Sequence, residues 1–338
     1  MLFLRLCLFC GIVLTVAPFL SFIDARAAAF QALGLHLIAI NGSLAAILLM
    51  RKRRLWAIAG LLAALWNVAL VWPSISANLK TVLVAAPAKA RVLKVVSFNL
   101  SFDNPDPAKA ADFLAKSGAD VIGLAEVTPE AKAALMAKLK SVYPHSVDCI
   151  GQDRFCELML LSKRPLRYPF AGKVGGKLTY VASADIDWQG NAISIALTHV
   201  VLPFVKPDFA PLAAWIPPDD PSPLLAGTPL LWQSMQTAVV AAYARTLGQD
   251  KIVMGDFNSA PWSDVQVAFR NATALENRGP LVLSWPASLP PPLRVPIDPV
   301  FVGGSLVIRN LSAGPNLGSD HLPMIAEIGS QRPIAVAE

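Results

Sequence analysis

The chain has 338 residues, enough for two or three domains, with a mean hydropathy of +0.51 and only 15% charged residues. It is too apolar for a wholly soluble protein, so part of it is expected in lipid. The net charge of +6 counts little towards a nucleic-acid partner: residues 1–90 hold eight Lys/Arg and one acidic residue, Asp24, which leaves the remainder near −1.

Three apolar runs come first, at 2–23, about 28–50 and 55–76. Each is near the ~20 residues that a helix needs to cross a bilayer. Between the second and third sits Arg51-Lys52-Arg53-Arg54, the densest positive cluster, and short loops rich in Lys and Arg stay on the cytoplasmic side. The expected path has the N-terminus inside and everything after Ser76 outside, with Trp72 and Pro73 at the interfacial end of the third helix. A cleaved signal peptide ending near Ala25-Arg26-Ala27 is the competing reading. His36 and Asn41, polar residues in the second run, are expected to hydrogen-bond between helices. Residues 1–80 are thus read as an anchor of three transmembrane helices in a cytoplasmic membrane and 81–90 as a linker. A globular domain spans 91–330, followed by a tail at 331–338.

In the globular domain, 92–98 (VLKVVSF) reads as a strand, 107–118 as a helix ending at Gly118, 120–125 as a strand and 130–141 as a helix. Further strands are expected at 157–161, 179–187, 192–198, 251–255, 299–302 and 323–328, with a helix at about 230–247. Several strands in succession mid-chain suit two packed sheets with helices outside them, an α/β architecture. Cys7 and Cys10 lie in the first apolar run. Cys149 and Cys156 lie in DCIGQDRFCELMLLS and would close a short loop in an oxidising compartment, or remain free thiols otherwise. Residues 203–229 carry eight prolines with Phe204, Phe209 and Trp215. Such a stretch neither pairs in a sheet nor continues a helix, so it is read as a loop, either a substrate or membrane contact or a tolerated insertion.

The chemistry is signalled most strongly by Gly255-Asp256-Phe257-Asn258 after the apolar run KIVM. A strand that delivers polar side chains at i and i+2 puts both on one face, where they can hold a phosphate or a water. The other signals are Asn99 after VVSF, Glu126 after GLA, Thr198-His199 at a strand end, Ile297-Asp298 before PVFV, and Ser319-Asp320-His321-Leu322-Pro323. Taken singly each is a common turn or core polar residue. As an ordered set over residues 91–330 they resemble the endonuclease/exonuclease/phosphatase superfamily.

That resemblance implies a four-layer α/β sandwich with two central mixed β-sheets behind the transmembrane helices. It implies a metal site at Glu126, with Asn99 and Asp320 completing or bracketing it. An all-oxygen set suits Mg²⁺ or Mn²⁺ rather than Zn²⁺. By the same resemblance Asp256 orients or deprotonates the attacking water and Asn258 holds the phosphate. His321 is the catalytic histidine with Asp298 fixing its tautomer, and His199 faces the phosphate. Two departures stand out: Pro299 follows Asp298, and Asn99-Leu100-Ser101 lacks the acidic residue that some nucleases place after the Asn, which leaves a two-metal mechanism in doubt. SKRPL at 162–166 is read as structural.

The tethered layout also resembles a membrane-anchored bacterial branch that includes the teicoplanin-resistance membrane protein. That implies a phosphorylated lipid or envelope component as substrate, which anchoring near the bilayer would concentrate. A surface nuclease acting on DNA or RNA and a catalytically silent membrane binding protein are the alternatives.

Overall fold

The computed structural model describes residues 1–21, 25–82, 92–152, 155–175, 179–202, 229–277 and 279–331. Phe204, Phe209 and Trp215 lie outside the described residues. The chain forms two compact units. One comprises Met1–Ser76, Val201–Met235 and Ser259–Val267; the other comprises Ala77–Val200, Gln236–Asn258 and Ala268–Glu338.

In the first unit the apolar runs form α1 (Leu2–Val16), α2 (Gly34–Met50) and α3 (Arg54–Val82), with 3-10 turns at Ala17–Leu20 and Ala25–Leu33. Among the described residues three stretches are long and apolar enough to cross a membrane: Leu2–Leu20, Ala27–Met50 and Arg54–Ser76. The helices pack through Leu8, Leu48 and Ala57. They are also linked by a buried polar cluster in which Asn41 Nδ2 and Asn67 Nδ2 both donate to Thr15 Oγ1, at 3.1 and 3.0 Å, and Thr15 Oγ1 donates to Gly11 O at 2.9 Å. His36 Nδ1 and Nε2 have no hydrogen-bond partner among the described residues. Pro73 does not end α3, which runs on to Val82. A proline removes one helix hydrogen bond but does not force a stop, and apolar membrane-type helices tolerate it.

The second unit is built on two mixed sheets. The six-stranded sheet has the order β10-β11-β1-β2-β4-β3, with β1 Leu93–Asn99, β2 Val121–Ala125, β3 His145–Asp148, β4 Met159–Ser162, β10 Leu306–Ala313 and β11 Met324–Ser330. The five-stranded sheet has the order β5-β6-β7-β8-β9, with β5 Arg167–Val174, β6 Thr179–Trp188, β7 Asn191–His199, β8 Lys251–Asp256 and β9 Val300–Gly303.

Strand alternation sorts the apolar side chains into layers. Leu93, Val95 and Val121 from one sheet meet Ile193, Ile195, Leu197, Ile252 and Met254 from the other between the sheets. On the outer face of the first sheet, Val96, Phe98, Ile122 and Leu124 pack on Ala110, Ala111 and Leu114 of α4 (Pro107–Lys116) and on Leu135 of α5 (Pro129–Leu139). On the outer face of the second, Ala196, Val253 and Phe301 meet Val240, Ala241 and Ala244 of α6 (Pro229–Thr246) and Phe269 of α7 (Asp264–Thr273). This is a four-layer α/β sandwich. Strands buried on both faces read as continuous apolar runs, which is why 92–98, 120–125 and 251–255 stand out in the sequence.

Cys149 and Cys156 are joined by a disulfide that closes the loop between β3 and β4. Two strands not expected from sequence, β3 and β5, are sheet edges, and a third, β10, is also an edge with a register shift between Ile308 and Asn310.

Candidate active site

Register brings the polar residues to one end of the second unit. β1 and β2 run parallel with Asn99 opposite Ala125, so Asn99 and Glu126 emerge side by side. β7 and β8 also run parallel, with His199 opposite Asp256. β9 and β11 are antiparallel to β8 and β1, pairing Val300 with Met254 and Met324 with Ser97, so the residues just before them, Asp298 and His321, lie at the same end. Side chains at the carboxyl ends of parallel strands are where α/β folds place ligand chemistry.

Gly255, the next-to-last residue of β8, lets this strand run close to β7. Its φ is 138°, and a Cβ there would collide with the backbone oxygen of Thr198. Glu126 and Asn258 have φ values of 55° and 48°. Asn adopts the left-handed region readily and Glu at a cost, and such conformations persist only where surroundings impose them. At Glu126 the constraint is visible: Val127 N donates to Glu157 O (3.1 Å), and Glu126 Oε2 accepts from Phe102 N (3.1 Å).

Two histidine–carboxylate pairs flank Asp256. His321 Nδ1 donates to Asp298 Oδ2 (2.9 Å), which also accepts from Ser284 Oγ (2.5 Å). His199 Nδ1 donates to Glu157 Oε1 (2.7 Å). Both rings therefore present Nε2 to the same carboxylate: His321 Nε2 lies 3.4 Å and His199 Nε2 3.7 Å from Asp256 Oδ2. His199 Nε2 also lies 3.6 Å from Glu126 Oε1. Asn258 Nδ2 donates to Val200 O (2.8 Å) and lies 3.3 Å from His199 Nε2, while Asn258 N donates to Asp256 Oδ1 (2.7 Å).

Charge follows from these contacts. Burial works against protonated His321, but Asp298 and Asp256 overcome it and push its pKa up to about 10. Burial likewise opposes charge on His199, and Glu157, Asp256 and Glu126 raise it to about 9. Asp256 is pushed up to about 6, chiefly by burial and against the pull of His321. Without a metal ion, the centre holds two imidazoliums around one buried carboxylate.

Two groups of side chains offer a ligand atom each within 4.8 Å of one another: Glu126, His199 and Asp256, and Asp256, Asp298 and His321. Each histidine gives Nδ1 to a carboxylate, which leaves Nε2 as its one ring atom for a metal, and a metal bound there would displace a proton. The carboxylates of Glu126 and Asp256 offer oxygen ligands. Asn99 Nδ2 bridges them, donating to Glu126 Oε1 (2.7 Å) and Asp256 Oδ2 (3.0 Å). An oxygen-dominated donor set fits a hard divalent cation.

Of the residues expected for the metal, Glu126 and Asn99 come together. Asn99 turns its amide nitrogen to the carboxylates, while its Oδ1 accepts from Ser101 N (3.0 Å). Asp320 stands outside both groups, and its Oδ2 accepts from Trp285 Nε1 (3.0 Å). Asp256, Asn258, Asp298, His199 and His321 all meet in one centre. Sequence reasoning missed Glu157, Ser284 and Trp285. The one available signal for Glu157 is a lone carboxylate directly ahead of the apolar strand LMLLS.

A family model for the Endonuclease/Exonuclease/phosphatase family matches residues 96–321. The chain belongs to this family of metal-dependent phosphoester hydrolases. Among solved structures, the endonuclease/exonuclease/phosphatase from Bacteroides vulgatus is similar at 14% identity and a TM-score of 0.54, over 71% of this chain and 99% of that one. The human Nocturnin catalytic domain with bound sulfate anion is similar at 15% identity and a TM-score of 0.50, over 71% and 95%. A beta toxin variant from Staphylococcus aureus with bound magnesium ions is similar at 15% identity and a TM-score of 0.50, over 70% and 99%. At these identities the likeness shows the fold. No curated protein matches the chain.

Proposed function

We propose that the protein is a membrane-anchored phosphoesterase, dependent on Mg²⁺ or Mn²⁺, that hydrolyses a phosphorylated lipid or envelope component outside the cytoplasmic membrane. The observation that carries the catalytic part is the convergence of His199 Nε2 and His321 Nε2 on Asp256 beside Glu126. A bound divalent ion, held by Glu126 and Asp256 with Asn99 adjacent, would neutralise phosphate charge and polarise the P–O bond.

The chain's own groups have separable tasks in this reading. The two imidazoliums and the Asn258 amide bind the nonbridging oxygens of an anionic phosphate, whose charge would otherwise repel a nucleophile. Asp298 and Glu157 hold the ring orientations and keep Nδ1 protonated, so only Nε2 faces substrate. Asp256, buried and between the two Nε2 atoms, aims a water at phosphorus.

The location rests on the three apolar helices, the basic loop Arg51 to Arg54 between the second and third, and the Cys149–Cys156 disulfide, which suits an oxidising compartment. Anchoring favours a membrane-borne substrate over a diffusing one, and the near-neutral balance after residue 90 does not favour a nucleic acid.

The test is hydrolysis by the purified full-length chain in detergent with Mg²⁺ or Mn²⁺, comparing an isoprenyl diphosphate with plasmid DNA. Metal-dependent release of phosphate from the lipid, abolished by Glu126→Ala, is the expected result. Cleavage of DNA alone would make it a nuclease, and inactivity on both and on a generic phosphodiester would leave a silent binding protein.

A further inference from the structure

Ser259–Val267 follows Asn258 directly in the chain, yet it packs with the apolar helices in the first unit. Its contacts there are directed. Trp262 is buried, at 5% exposure, and its indole Nε1 donates to Gln31 O at 2.5 Å. The Gln31 side chain clasps Asp264 from two sides: Nε2 donates to Asp264 Oδ2 (2.8 Å) and Oε1 accepts from Asp264 N (3.1 Å). Ser74 Oγ of α3 donates to Pro261 O (3.2 Å). Where the indole meets the start of α2, residue 34 is glycine, and a Cβ there would fall 3.0 Å from Trp262 Nε1 and 2.7 Å from Val71 Cγ2.

The anchored stretch begins one residue after Asn258, so whatever fixes Ser259–Val267 also fixes the chain direction leaving Asn258. Asn258 N in turn holds Asp256 Oδ1. A segment that only filled space would need apolar contact. Here one side chain of the Ala25–Leu33 turn is matched to both the donor and the acceptor of Asp264.

We propose that Gln31, Trp262 and Asp264 are positioning residues, through which the membrane helices hold the chain just beyond Asp256 and Asn258 in its reactive geometry. The helices then set turnover itself and not only the place where turnover happens. The inference rests on the assignment of Asp256 and Asn258 to the reaction site.

The test uses the full chain in detergent, with the water-soluble substrate bis(4-nitrophenyl) phosphate and Mg²⁺, so that delivery of substrate by a membrane plays no part. Gln31→Glu sets a carboxylate against Asp264, and kcat should fall about tenfold with KM within about twofold, since small misplacement near the chemistry acts on turnover. Combining Gln31→Glu with Asp264→Asn restores a donor–acceptor pair and should return kcat to near the starting value. Amide exchange over residues 256–267 should rise in the single variant, recover in the pair, and stay unchanged in β1 and β6. If the parent chain does not turn over this substrate, exchange alone decides: a rise and recovery at Asp256 to Asn258 supports the clasp. Unchanged exchange, faster exchange with unaltered kcat in an active protein, or equal loss in the single and paired variants would overturn it.

Discussion

Glu157 accepts from His199 Nδ1 as Asp298 accepts from His321 Nδ1, and each contact leaves Nε2 turned to Asp256. Replacing Glu157 with Gln removes the largest favourable charge on His199. The His199 pKa is then expected to fall well below about 9, as read from imidazole proton shifts in a pH titration, with a loss in kcat/KM as the imidazolium that binds the phosphate is depleted. A His199 titration unmoved by the change would show that Glu157 does not set its charge. The sign of the stability effect follows from the same pairs. Both histidines are raised above the ordinary ~6.5, so the folded state binds more protons than the unfolded one. Their contribution is complete below that value and is lost as pH rises through about 9 and about 10. Asp256, raised to about 6, adds a loss of the same sign at lower pH. The metal-free protein should therefore lose thermal stability from pH 6.5 to 10, and His321→Ala should flatten that slope. A melting temperature that climbs across the window would contradict the charge assignment.

Elements differ in how plainly the sequence announces them, and burial explains the difference. β1, β2 and β8 are covered on both faces and appear as unbroken apolar runs, so their ends, and with them Asn99, Glu126 and Asp256, are readable. β5 is an edge strand whose first four residues are exposed, with Pro169 inside it, and β3 is an edge of four residues. Neither needs a two-sided pattern, so neither shows one. Glu157 was hidden for a related reason. Its meaning comes from β4 pairing antiparallel to β2, which carries it beside Glu126, and no local motif encodes that register. The disulfide lies in the same loop, next to Glu157. Replacing Cys149 and Cys156 with Ser should lower stability by about 2–3 kcal/mol, the loop-closure value for a span this short, measured by denaturant unfolding. It should also weaken the His199 pairing. Unchanged stability under oxidising conditions would show that the bond constrains little.

At the scale of the whole molecule, one chain carries an apolar helical unit and a two-sheet unit. Composition pointed to an apolar N-terminal part, because apolar residues concentrate before residue 90 and only one acidic residue, Asp24, falls there. The return of Ser259–Val267 to the helical unit was not legible, because Trp262 and Asp264 acquire their role only from Gln31, more than two hundred residues away. The ordered motifs could be assembled from the sequence because the family pattern spans 96–321, and the meeting place of their residues follows from two parallel strand pairs. If the reaction centre is a single unit, the effects of its two histidines on rate must be coupled. The most direct measurement is the kcat/KM of His199→Ala, His321→Ala and the double variant for Mg²⁺-dependent phosphodiester hydrolysis by the full chain. Each single change should cost about 10²-fold or more, and the double should cost far less than the product of the two. A single variant that keeps the parent rate, or two losses that simply multiply, would contradict a shared centre at Asp256.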